Sequence, residues 1–126
     1  MQLENRDVVH FLRGVNSVRD GYLVGLSVLR TDGMTDLTVE LAFHVPKGTE
    51  GERYRLTLSG PVRFDYNFSD ETSTDQIPSV KCLWTDDEFY LSLDPWEETA
   101  DSASDRDNDW FRSKAARLSV ERADQA

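Results

Sequence analysis

Apolar and polar residues alternate with a period of two along most of this chain, and that alternation predicts a fold built from antiparallel β-strands. In LTVELAFHV, Leu37, Val39, Leu41, Phe43 and Val45 share one face, while Thr38, Glu40, Ala42 and His44 share the other. The same pattern places Tyr54, Leu56 and Leu58 together in YRLTLSG, and Val62, Phe64, Tyr66 and Phe68 together in VRFDYNF. Gly60-Pro61 reads as a break between these two strands. The stretch YLVGLSVLR is apolar on both faces, which predicts a central strand covered on both sides. Val80, Cys82 and Trp84 share a face of a further strand, and FYLSLD follows the turn TDDE. The final segment, WFRSKAARLSV, suits a strand through its terminal Leu-Ser-Val and a helix through Ala115-Ala116, the strand being preferred.

Helical spacing is confined to the N-terminal segment NRDVVHFLRG, where Val8, Val9, Phe11 and Leu12 line one side. Asn5 stands at the N-cap position and Gly14 just past the end. Turns are predicted at TDGMTD and KGTEGE, and a polar loop at SDETSTDQIPS. Together these elements predict a mainly β fold with a short N-terminal helix: an antiparallel β-sandwich or partly closed barrel of about seven strands. Long helical crossovers are missing, so a parallel sheet is not expected. One domain is expected over 1–120, with a frayed tail at 121–126.

Charge changes this picture in one place. The chain of 126 residues has a formal net charge of −10. Residues 86–109 alone contain Asp86, Asp87, Glu88, Asp94, Glu97, Glu98, Asp101, Asp105, Asp107 and Asp109 against Arg106, a balance of −9 that leaves −1 for the rest. The segment WEETADSASDRDN has too few apolar residues to pack, so an acidic loop at 96–109 is expected to be solvated and mobile at its centre. Acidity of this kind repels nucleic acid, whose binding is driven by Lys and Arg at phosphates. No stretch is long and apolar enough to cross a membrane as a helix, and the N-terminus lacks the layout of a secretory signal, so a cytoplasmic location is expected.

Candidate chemistry is sparse. Asp105, Asp107 and Asp109 have the alternating spacing of a calcium loop, but the required glycine is replaced by Trp110 and the required glutamate by Ala116. His10 and His44 lie in different elements, and one cysteine supplies at most one ligand, so no metal or cofactor is expected. Cys82 shares its strand face with Val80 and Trp84, where a thiol packs as a small apolar group. Ser92 lacks the glycine-flanked elbow of a hydrolase nucleophile. Two tryptophans, Trp96 and Trp110, flank the acidic loop, positions that suit either closure of the core or contact with a partner.

The phrases FYLSLDPWEETA and DNDWFRSKAARLSV, with the opening NRDVVHFLRGV, resemble small bacterial single-domain proteins of unknown function that include immunity-type proteins. Proteins of that type bind and mask a toxin, and the resemblance brings no functional residues with it. The expected function is therefore non-enzymatic binding of a basic protein through Asp86, Asp87, Trp96, Glu97, Glu98, Asp105, Asp107, Asp109 and Trp110. Two alternatives stay open: a carbohydrate- or small-ligand-binding β-sandwich that uses Trp96 and Trp110 for stacking, and a structural homo-oligomer kept soluble by its charge.

Overall fold

The computed structural model describes residues 1–30, 37–46, 51–67 and 76–122. In chain order the elements are β1 (Gln2–Glu4), α1 (Arg6–Leu12), β2 (Tyr22–Arg30), β3 (Leu37–Val45), β4 (Glu52–Asp65), β5 (Lys81–Thr85), β6 (Glu88–Asp94) and β7 (Asn108–Arg122). Among the described residues, the seven strands form one antiparallel sheet in the order β2-β3-β4-β7-β6-β5, with β1 also on β7. The mainly β class with one short helix is as expected.

β7 organises this sheet. Along one edge it pairs with β4, from Trp110 opposite Asp65 to Arg122 opposite Glu52. Its other edge pairs first with β6, between Asn108 and Ser113, and then with β1, between Arg117 and Ser119. The sheet does not close into a barrel, yet its two edges approach one another. Ahead of β2 the Asp20 N–H donates to the Ile77 carbonyl at 2.7 Å, and the Ile77 N–H, ahead of β5, donates to the Gly21 carbonyl at 2.8 Å. A flat sheet with strands about 4.8 Å apart would hold β2 and β5 roughly 24 Å from each other, so the sheet curves strongly. Inside the curve Val8, Val9 and Leu12 of α1 pack with Val39, Leu41, Phe43, Leu56, Phe89, Leu91, Phe111 and Leu118 in a single core. Each such side chain contributes about 1.5–3 kcal/mol on burial, which is why the alternating strands carry the fold.

Several expectations are corrected. β2 is an edge strand and not a central one: Val24, Val28 and Leu29 are 56%, 45% and 62% exposed. Gly60-Pro61 does not end a strand, because β4 runs through it with a register shift between Ser59 and Val62. Asn5 does hold the N-cap position, its carbonyl accepting from the Val8 N–H at 3.0 Å, but its side chain makes no capping bond. Instead it grips β7, its N–H donating to the Ala116 carbonyl at 2.8 Å and its Oδ1 accepting from the Ala116 N–H at 3.0 Å. The last segment is a strand, and it extends through Glu121 and Arg122, so the tail does not begin at 121. The turn at 31–36, residues 47–50 of the KGTEGE turn, Phe68, most of the polar loop and the final four residues lie outside the described residues.

Candidate functional site

The side chains of β6 are buried on both faces, and the second face is what the acidic loop covers. Strand register puts Lys81 opposite Ser92 and Leu83 opposite Tyr90, and all four are buried on the side of β5 and β6 away from the main core. A lysine ammonium enclosed this way needs a counter-charge, because desolvating it alone would cost several kcal/mol. Asp107 supplies it. Lys81 Nζ lies 3.0 Å from Oδ2 and 3.1 Å from Oδ1 of Asp107, with side-chain exposures of 1% and 0%.

Asp107 then orders the loop around itself. The Tyr90 hydroxyl donates to Oδ2 at 2.7 Å, the Ser104 N–H to Oδ2 at 2.9 Å and the Trp96 N–H to Oδ1 at 2.9 Å. Lys81 Nζ also donates to the Ser102 carbonyl at 3.1 Å. Burial pushes the Asp107 carboxyl up, but the bonds from Tyr90, Ser104, Trp96 and Lys81 outweigh it and hold the group below its ordinary value. A second tether comes from Glu98, whose Oε1 accepts the Val80 N–H at 3.1 Å and whose Oε2 lies 3.7 Å from Arg19. The centre of the expected solvated loop is thus anchored from within, and Asp107 is withdrawn from the outer surface.

The remaining expected residues are spread over three places. Asp86 and Asp87 form the tip of the β5–β6 hairpin, both in the left-handed region (φ 55° and 57°) that a primed two-residue turn demands. Trp96, Glu97 and Asp105 are exposed on the loop, Trp96 at 65%, with the Arg106 guanidinium 4.8 Å above its ring. Asp109 and Trp110 begin β7, at the far end of β6 from the hairpin, about 20 Å away at 3.3 Å per residue.

Two hollows lie side by side where β4, β6 and β7 meet on the outer face. The first, about 300 Å³, is lined by Asp65, Asn67, Asp94, Asn108 and Asp109. Burial raises the Asp109 carboxyl, its bond from the Asn67 N–H lowers it, and the charges of Asp94 and Asp65 raise it further. Asp65 and Asp94 belong to separate strands, and only the register reveals them as neighbours. Among the described residues, no group of three or more His, Cys, Asp or Glu is arranged to hold a metal ion.

The second hollow, about 460 Å³, is lined by Arg63, Tyr90, Ala103, Ser104, Asp105, Trp110 and Arg112. Arg63 and Arg112 stand directly opposite each other on β4 and β7. Glu88 lies 3.4 Å from Arg63. The Arg112 guanidinium sits 5.0 Å from the Tyr90 ring centroid and 5.7 Å from that of Trp110. In the sequence neither arginine stands out, because polar residues on strand faces read as solvent-facing.

Cys82 is 4% exposed, and burial pushes its thiol up to about 12, with Arg13 lowering it. It is packing, as expected, and remains a thiol at neutral pH. Ser92 spends its hydroxyl on the Asn108 carbonyl at 2.7 Å. No family model, curated protein or solved structure matches this chain.

Proposed function

We propose that this protein is a non-enzymatic binding module of the immunity type, which presents an acidic surface to a basic protein partner. The observation that supports this most directly is the anchoring of the acidic loop by Asp107. Exposed Trp96, Glu97 and Asp105 ride on a segment whose backbone is tied to a buried ion pair, so little ordering entropy is lost when a partner docks. Asp65, Asp94 and Asp109 crowd an adjoining hollow, and an incoming lysine or arginine would relieve their mutual repulsion.

Affinity capture from the native host at low salt tests the proposal, comparing the wild-type chain with a Trp96→Ala, Glu97→Gln, Asp105→Asn variant. Asp107 is left intact because its loss would disturb the whole loop. The expected result is one basic protein retained by the wild type alone and released as salt rises, since long-range attraction between exposed charges is screened over a Debye length. Retention that ignores salt, or that survives in the variant, would refute an acidic docking surface here.

A further inference from the structure

We propose that the hollow between Arg63, Tyr90, Trp110 and Arg112 is a binding site for a small aromatic anion, a flat ring that carries a carboxylate or phosphate. Arg112 is the centre of the argument. In a chain with 24 carboxylates, this half-buried guanidinium forms no ion pair among the described residues, although Arg63 directly across the strand pair has Glu88 at 3.4 Å. Like charges placed directly opposite on a sheet repel each other, so the pair calls for a further negative group. The aromatic contacts of Arg112 use its charge but leave its N–H fork uncommitted. That fork is the geometry that grips carboxylate or phosphate oxygens in pairs.

The rest of the hollow selects for a flat body. Trp110 is half-buried at the wall, and Tyr90 is locked in place beneath by its bond to Asp107. Ser104, on the facing wall, has its N–H fixed to Asp107 and its Oγ accepting from the Arg106 N–H at 3.1 Å, so that wall is held in position without a ligand. A volume of about 460 Å³ falls in the range that encloses small ligands. The exposed carboxylate of Asp105 in the same lining disfavours a second negative charge on the ligand and so favours a single acid group. Trp96 takes no part, since its ring is covered by Arg106 and lies outside this lining. The hollow shares Asp105 with the acidic docking surface, but its recognition groups, Arg63, Arg112 and Trp110, are not part of that surface, so the site stands whether or not a protein partner exists.

The test is titration of the full chain, followed by calorimetry and by Trp fluorescence, with four probes: benzoate, adenosine monophosphate, inorganic phosphate and uncharged adenosine. Saturable binding of benzoate or adenosine monophosphate is expected, with phosphate and adenosine each much weaker because each supplies half of the recognition. Arg112→Gln should weaken binding by about tenfold or more, and Arg112→Lys should recover only part of it because lysine lacks the fork. Trp110→Phe, which keeps the wall but narrows the stacking surface, should weaken both aromatic anions while the fold, followed by circular dichroism, is unchanged. No saturable binding of either aromatic anion, equal binding of adenosine, or unaltered binding by a folded Arg112→Gln chain would each overturn the proposal.

Discussion

Replacing Asp107 by Ala leaves the buried Lys81 ammonium without its counter-charge. Lys81 is 1% exposed in its side chain and would keep only the Ser102 carbonyl, while the Tyr90 hydroxyl and the Trp96 and Ser104 N–H groups lose their acceptor. Removing one partner of a buried ion pair costs about 3–5 kcal/mol. Summing the three stranded neutral donors separately would exceed that figure, but the loop lies near the surface and can admit water, so the ion-pair value applies. For a chain of this size the melting temperature should fall by about 12 °C or more, taking roughly 4 °C per kcal/mol. Lys81→Met should cost less, about 1–3 kcal/mol, because Asp107 keeps its other donors. The double variant Lys81→Met, Asp107→Ala should cost less than the sum of its two single variants, since the pair is coupled. Urea unfolding of all four chains measures this directly, and an Asp107→Ala loss under about 1 kcal/mol, or strict additivity, would refute the role given to the pair. The pH dependence carries its own sign. The folded carboxyl lies below its ordinary value of 3.8, so its stabilisation is fully present above that pH and is lost as pH falls through the folded value. The gap between wild type and Asp107→Asn should therefore narrow only in strong acid.

Three further outcomes are expected. Asp109 has the opposite sign, because its folded carboxyl is raised: stability from protonating it is present at low pH and is lost as pH rises, so Asp109→Asn should raise the melting temperature at pH 7 and not below the carboxylate range. Asn also tolerates the left-handed φ of 51° at that position, and a lower melting temperature at pH 7 would contradict the crowding of Asp65, Asp94 and Asp109. Gly60→Ala should destabilise by about 1–3 kcal/mol in urea unfolding, as its φ of +80° is costly for a side chain and a Cβ would lie 2.8 Å from that of Lys114. Cys82 should resist an aromatic disulfide reagent at pH 8 until urea unfolds the chain, and rapid labelling of the native protein would show that the thiol is not in the core.

Local pattern accounts for the elements of this protein, and the physical reason is that a strand's two faces are separated by its own backbone geometry. Val39, Leu41, Phe43 and Val45 point inward wherever β3 is placed. The ambiguous last segment shows where such reading falters. On β7 the buried positions run Phe111, Ser113, Ala116, Leu118, with a step of three at the point where Gly60 and Pro61 of β4 oppose Lys114. A step of three imitates a helical period, although its cause is a bulge in a neighbouring strand. The same limit governs β2, whose two apolar faces suit a buried strand; strand order, which depends on all seven strands at once, leaves it at the edge.

Charge was legible in amount and not in role. Ten carboxylates in 86–109 are visible in the sequence, but which of them serves the interior depends on Lys81, a residue 26 positions away from Asp107. The crowding of Asp109 by Asp65 and Asp94, and the opposition of Arg63 to Arg112, likewise arise from register between distant strands. A sequence states which groups are present and how each strand's faces divide. Distances between ionised groups, which decide whether a carboxylate is solvated, buried or shared, exist only once the sheet has curved and closed its loop over β5 and β6.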